Sequence, residues 1–152
     1  MGREDGHAIL SSTCFQLGIT GAQITRSFSL LIQHTGLTHK QVGLLAVVDA
    51  DQASSQREIA AQLGVAPSLV VSLVDQLASI GAVRRTRSRT DRRVQVVEIT
   101  DDGRQLLRLA TDAAKKLDTD LRKRLSPADL QALDRLLPAL LQASSVAADN
   151  GA

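Results

Sequence analysis

Apolar residues near the start of the chain recur at alternating steps of four and three positions, the spacing of one face of a helix. The stripe continues over three repeats and contains Leu10, Cys14, Leu17, Gly21, Ile24, Phe28 and Leu31. It predicts one long helix that ends at Gly36, because glycine readily adopts the left-handed conformation. A helix with such a stripe requires another helix against it.

Three shorter helices are predicted next, each from its own start signal. Residues 38–41 and 55–58 have the sequence of capping boxes, and Pro67, after the stop signal Gly64, suits the first position of a helix. The apolar positions predicted for the buried face of this last helix are Val70, Leu73, Val74 and Leu77. Two helices of this size joined by a short turn around a glycine form a helix-turn-helix.

The segment that follows has the β-branched residues of strands. Residues 83–87 and 94–99 are predicted strands, joined by a turn at residues 88–93. Residues 84–93 contain six arginines and one acid, whereas the whole chain carries a net charge of only +2. A helix-turn-helix followed by a basic hairpin is a winged helix, and the wing is expected to reach phosphate or a minor groove.

Two more helices, rich in leucine, are predicted from starts at residues 100–102 and 126–129. The fold class is therefore mainly α with a small β-hairpin wing, in a single domain of residues 1–152. No run of about 18 apolar residues is present, so no membrane partner is expected. The N-terminus lacks the pattern of a signal peptide, and one cysteine fits a reducing compartment, so the expected location is cytoplasmic.

Over roughly residues 8–145 the sequence resembles the MarR family of winged-helix regulators. The resemblance rests on the order and spacing of LGVAPS at 63–68, LVDQL at 73–77, GAV at 81–83, TDRR at 90–93 and ITDDG at 99–103. It implies a winged helix-turn-helix plus dimerisation helices. Residues 38–100 would be the DNA-binding part, and residues 7–36 and 101–145 would interleave in a homodimer.

The resemblance implies a repressor that binds double-stranded DNA. A two-fold dimer places its recognition helices in successive major grooves about 34 Å apart, so the expected target is a short inverted repeat. The outward side of the helix at 67–80 offers Ser68, Leu69, Val71, Ser72 and Gln76 as contacts. Relatives often carry arginine where this chain has Ser72 and Gln76. The helix has no cation and one acid, so the wing is expected to supply most of the affinity.

Within the wing, the resemblance gives Asp91 and Arg93 the role of holding the loop and entering the minor groove. Arg89 and Arg92 are then expected at its tip. Arginines 84, 85 and 87 alternate along a strand and cannot all face DNA. We assign Arg87 and one of the other two to phosphate contacts.

Two kinds of regulation are compatible with the sequence. Peroxide-sensing members of the family carry a cysteine followed by phenylalanine, as at Cys14 and Phe15. The partner tyrosines of those sensors fall on Gly18 and Phe28, which cannot hydrogen-bond a thiolate, and no cation lies within a helical turn. Thiol-based oxidative-stress sensing through Cys14 is therefore the alternative.

The main expectation is a small-molecule effector, bound between the dimerisation helices and the winged part, that releases the DNA. Placement by resemblance gives the candidate pocket residues Phe15, Phe28, His34, His39 and Leu45.

Other functional classes lack support in the sequence. No glycine-rich phosphate loop and no Ser/His/Asp set is evident, so an enzyme is not expected. The three histidines are scattered at positions 7, 34 and 39, so neither a metal nor another cofactor is expected. A winged-helix interaction module that has lost specific DNA binding is a further alternative, favoured by the uncharged recognition helix and opposed by the arginines.

Overall fold

The computed structural model describes the backbone of residues 2–50 and 55–149 and the side chains of residues 5–50 and 55–144. The elements are α1 Gly2–Ser11, α2 Thr13–Leu31, a 3-10 turn Gln33–Thr35, α3 His39–Asp49, α4 Gln56–Leu63, α5 Pro67–Ser79, β1 Val83–Arg87, β2 Gln95–Ile99, α6 Asp101–Arg122 and α7 Pro127–Asp149. The chain forms two compact units, Met1–Ala114 and Lys115–Ala152.

The first predicted helix is divided in two, so the prediction of one continuous helix is wrong. Ser12 has extended backbone angles (φ −65°, ψ 143°), and its hydroxyl accepts a hydrogen bond from the amide of Phe15 at 3.3 Å. Serine favours such caps because its side chain replaces a missing backbone partner. The break separates Leu10 from the rest of the apolar stripe. The α-helix itself ends at Leu31, earlier than predicted, and Gly36, with φ at 72°, ends the 3-10 turn that follows it.

The start and stop signals of the next three helices are confirmed. Both capping boxes are present, at Thr38 with Gln41 and at Ser55 with Glu58. Gly64 is left-handed with φ at 62°, and Pro67 occupies the first turn of α5. The core beneath these helices contains Leu37, Leu44, Leu45, Val48, Ile59, Ala60, Val70, Leu73, Val74, Leu77, Ala82, Val83, Val97 and Ile99. Helices α3, α4 and α5 therefore pack with the base of the hairpin around one centre.

Strands β1 and β2 form an antiparallel hairpin in which Val83 pairs with Ile99 and Arg87 with Gln95. Val94, which was predicted to begin the second strand, lies before it and is 40% exposed. Strand β2 therefore begins at Gln95, one residue later than the run of β-branched residues suggested.

The start of α6 is anchored to the base of the hairpin. The amide of Thr100 donates to the carbonyl of Ala82 at 3.0 Å, and its hydroxyl donates to the carbonyl of Gly81 at 2.6 Å. A Cβ atom on Gly103 would lie 2.0 Å from the carbonyl oxygen of Ala82. Only glycine fits here, so α6 approaches the hairpin backbone directly.

In the C-terminal unit, Arg122 forms ion pairs with Asp118 and Asp134. The hydrogen bond from Arg122 holds the pKa of Asp134 below its ordinary value. Helix α7 continues to Asp149, beyond the end predicted at residue 145. Several leucines of this unit are exposed, namely Leu121, Leu125, Leu136, Leu137 and Leu141. The face predicted to be buried is thus partly uncovered in the single chain.

Within the described residues, no single helix is both long and apolar enough to cross a membrane. Helices α4 and α5 reach the required length and composition only when taken together, and a bend of 110° separates them.

Candidate nucleic-acid interface

Helix α5 directs one polar face away from the core. Four of the five predicted contact residues on it are exposed: Ser68, Val71, Ser72 and Gln76. The fifth, Leu69, is half-buried and packs against the core. Part of its side chain helps to fix α5 on the protein, and the part that remains exposed keeps its contact with DNA a prediction.

A chain of hydrogen bonds joins the outward face of α5 to the start of α3. The amide of Thr38 donates to Oε1 of Gln41 at 2.8 Å, and Nε2 of Gln41 donates to Oε1 of Gln76 at 2.9 Å. Nε2 of Gln76 then donates to Oγ of Ser72 at 3.2 Å. Gln41 is only 8% exposed. The sequence showed it as part of a capping box but gave no sign of its second contact, which lies 35 positions away.

Two of the six arginines are held by acids of the protein. Arg85 pairs with Asp75, the one acid of α5, and Arg84 pairs across the hairpin with Glu98 at 2.9 Å. The hydrogen bonds from Arg84 hold the pKa of Glu98 below its ordinary value. Both arginines thus have an acidic partner within the protein, and a phosphate contact by one of them stays a prediction. The negative charge on α5 is balanced by the neighbouring strand.

The other four arginines, at positions 87, 89, 92 and 93, are exposed. Among the described residues, none of them has a carboxylate oxygen within ion-pair distance. Arg87, Arg92 and Arg93 line one concavity of about 650 Å³ together with Gln95. Arg87 also borders a second groove of about 500 Å³, which Arg84 and Arg89 line as well. Among the described residues, the wing therefore carries four arginines without an ion-pair partner, against the single acid of the loop, Asp91.

The loop that carries these arginines is held by its own short side chains. Oδ1 of Asp91 accepts a hydrogen bond from the backbone amide of Arg93 at 2.9 Å. Oγ of Ser88 accepts from the amides of Thr90 and Asp91 at 3.2 and 3.3 Å, and the amide of Ser88 donates to the carbonyl of Val94 at 2.9 Å. Asp91 thus fixes the backbone of Arg93 and leaves its guanidinium group free.

The residues proposed for an effector pocket have different environments. Leu45 is fully buried in the core, so in this conformation it cannot contact a ligand, and its assignment is wrong. His34 and His39 are exposed, Phe15 is 42% exposed and Phe28 is half-buried. Four of the five side chains are thus accessible in the single chain, and that of Leu45 is not.

Cys14 lies in the first turn of α2 as a free and exposed thiol. Its position in the apolar stripe predicted a buried thiol, but the side chain is exposed in the single chain. Gly18, one turn further on, is exposed as well. No three His, Cys, Asp or Glu side chains converge as metal ligands in the part of the chain that the structure describes.

Known proteins are similar to this chain in sequence and in fold. The model of the MarR family matches residues 37–95. A putative transcriptional regulatory protein for the hcr operon of Thauera aromatica is 34% identical over 121 residues, which cover 79% of this chain and 73% of that protein. The chain belongs to the MarR family. Members of this family are transcriptional regulators, and the resemblance inferred from the sequence is confirmed.

Two further relatives extend the comparison. The HTH-type transcriptional regulator TtmR of Methylorubrum extorquens is 31% identical over 105 residues, but the match spans only 54% of TtmR and 69% of this chain. The repressor CouR bound to a 23-mer DNA duplex superposes with a TM-score of 0.77 at 28% identity, covering 86% of this chain and 92% of CouR. CouR from Rhodococcus jostii RHA1 bound to p-coumaroyl-CoA gives a TM-score of 0.76 at 24% identity over 87% of this chain and 93% of CouR.

Proposed function

We propose that this chain is a homodimeric MarR-type repressor that binds a short inverted repeat in double-stranded DNA and releases it when a small effector binds. The observation that carries the proposal is the charge distribution beside α5. Four wing arginines have no acidic partner among the described residues, whereas the acid of α5, Asp75, is paired with Arg85. The protein thus presents a cationic wing next to a helix whose own charge is balanced.

The wing and α5 would contribute differently to binding. The arginines neutralise phosphates and release counterions, which gives affinity that depends on salt but not on sequence. Helix α5 has no cation, so its contribution is hydrogen bonds from Ser72 and Gln76 and apolar contact by Val71 with a thymine methyl group. Affinity would come from the wing and sequence preference from α5.

A homodimer is supported by apolar surface in the single chain. The exposed large apolar residues of α1 and α2 are Ile9, Leu10, Phe15, Leu17, Ile19, Ile24 and Leu30, and α6 and α7 expose leucines of their own. Exposed apolar surface of this extent is typical of a protein–protein interface. Two α5 helices related by a two-fold axis would fit successive major grooves, and hence an inverted repeat.

Binding of fluorescent duplexes tests the DNA interaction. A duplex from the region upstream of this protein's own gene should bind more tightly than a scrambled duplex of equal length and composition, at low and at physiological salt. Light scattering should give a mass of two chains. Equal binding of both duplexes, or none, would favour the alternative of an interaction module, and a monomeric mass would contradict the dimer.

Effector release is supported by the CouR structure with p-coumaroyl-CoA, which shows that a protein of this fold binds a small molecule. p-Coumaroyl-CoA serves as the first probe, with coenzyme A alone as its control. Addition of the probe to the protein–DNA complex should lower the anisotropy of a labelled duplex. If neither this probe nor a panel of aromatic acids changes the DNA affinity, release by this class of effector is refuted.

A further inference from the structure

The hydrogen-bond chain from Thr38 to Ser72 fixes which atoms α5 turns outward. The chain begins at a backbone N–H, which can only donate. The direction of each later hydrogen bond therefore follows without first deciding which end of each glutamine amide is oxygen and which is nitrogen. The amide of Thr38 can only donate, so the atom of Gln41 that faces it at 2.8 Å must be the carbonyl oxygen. The NH₂ group of Gln41 therefore faces Gln76.

The same reasoning carries through to the surface. Because Gln41 donates, Gln76 must turn its carbonyl oxygen inward to accept, at 2.9 Å. The NH₂ group of Gln76 then points outward, where one hydrogen meets Oγ of Ser72 at 3.2 Å. The second hydrogen of that NH₂ group remains for a ligand. Ser72, whose oxygen already accepts, retains its own O–H to donate.

We propose that Gln41 is a specificity-determining positioning residue that makes Gln76 present its NH₂ group, and not its carbonyl oxygen, to DNA. A free glutamine offers both an acceptor and a donor and can pair bidentately with adenine N6 and N7. Gln76, with its carbonyl oxygen turned inward to Gln41, presents its NH₂ donor to the bases. It selects base edges that present acceptors, such as guanine O6 and N7 or thymine O4, and it disfavours the amino group of cytosine.

This inference rests on the proposed function, since it requires α5 to lie against bases. It also accounts for how a helix without arginine reads sequence. Arginine contacts guanine through N–H donors directed at O6 and N7, and the locked amide of Gln76 presents the same polarity without the charge.

Substitution Gln41→Glu reverses the hydrogen bond between positions 41 and 76 and so provides the sharpest test. Glutamate keeps the capping box, because its carboxylate still accepts from the amide of Thr38. It cannot donate to Gln76, whose amide must therefore turn its NH₂ group inward and its oxygen outward. Helix α5 would then present an acceptor, which suits the amino groups of cytosine and adenine.

Selection from a random duplex library should be performed with the wild-type chain and with Gln41→Glu, Gln41→Leu and Gln76→Ala. At one position of each half-site, the wild type should favour guanine or thymine over cytosine by about tenfold. Gln41→Glu should reverse that preference, and Gln41→Leu, which leaves the amide of Gln76 free to rotate, should abolish it. The melting temperature of each variant is the control for folding.

The outcomes separate this inference from the proposed function. If Gln76→Ala removes the preference but Gln41→Glu and Gln41→Leu retain that of the wild type, the positioning role of Gln41 is refuted and DNA recognition by α5 stands. If Gln76→Ala weakens binding equally for all sequences, Gln76 contacts phosphate rather than a base. That outcome also refutes the inference. If the wild type selects no sequence, both the inference and the sequence-specific part of the proposed function fail.

Discussion

Replacement of Arg87 by glutamine should flatten the salt dependence of DNA binding, whereas the same replacement of Arg84 should leave it nearly unchanged. The two arginines lie on the same strand and differ in their partners. Arg84 is paired with Glu98 at 2.9 Å, and Arg87 is one of the four wing arginines without an acidic partner among the described residues. Comparison of the two substitutions therefore tests whether unpaired charge, rather than the number of arginines, determines the salt dependence of DNA binding.

The magnitude follows from the number of unpaired wing arginines. Four per chain give eight phosphate contacts in a dimer, so the logarithm of the binding constant should fall with the logarithm of salt concentration with a slope of about −7. Arg87→Gln removes two contacts per dimer and should reduce the slope to about −5. The affinity of the wild type should fall about 10⁴-fold between 50 and 200 mM salt.

The assay is fluorescence anisotropy with one duplex at four or more salt concentrations in that range. Arg84→Gln should retain a slope of about −7, since the charge it loses is already balanced by Glu98. A wild-type slope near zero would refute the dominance of the wing. Equal flattening by both substitutions would refute the distinction between paired and unpaired arginines.

Three further predictions concern stability and assembly. Gly103→Ala should lower the free energy of unfolding in urea by about 3 kcal/mol, because the new methyl group meets the hairpin backbone. Gly18→Ala, where no atom lies within 4 Å, should be neutral or stabilising, and equal effects would contradict the packing argument. Asp134→Asn should destabilise at pH 7, and the effect should shrink as the pH falls: the folded-state pKa of Asp134 is lowered, so its contribution is present above the ordinary value and is lost as the pH falls through the folded-state value. A pH-independent difference would exclude the ion pair as its cause. Cys14 should react with a maleimide more slowly than free cysteine in the dimer, and faster on dilution to monomers. A rate at or above that of free cysteine at all concentrations would place the thiol outside the interface and favour the thiol-sensing alternative.

Features encoded by neighbouring residues could be predicted from the sequence. The capping boxes at residues 38–41 and 55–58, the left-handed Gly64 and the start of α5 at Pro67 follow from local backbone chemistry, and each is present. The basic hairpin was also predictable, because strand propensity and charge both lie in one short segment. The break at Ser12 was local as well, but the regular apolar stripe across it obscured the cap.

The partners of the charged and polar side chains were decided only by the tertiary structure. The sequence shows six arginines in one segment, but the packing of β1 against α5 brings Arg85 to Asp75, and the register of the hairpin brings Arg84 to Glu98. The contact between Gln41 and Gln76 likewise depends on how α3 and α5 cross. Such pairs are set by the angle and register at which whole elements pack, and a pattern along one element contains no information about the element facing it. The sequence by itself therefore determined that the chain has a cationic wing beside a recognition helix. The packing determined which four wing arginines have no acidic partner among the described residues, and which atoms of that helix face outward.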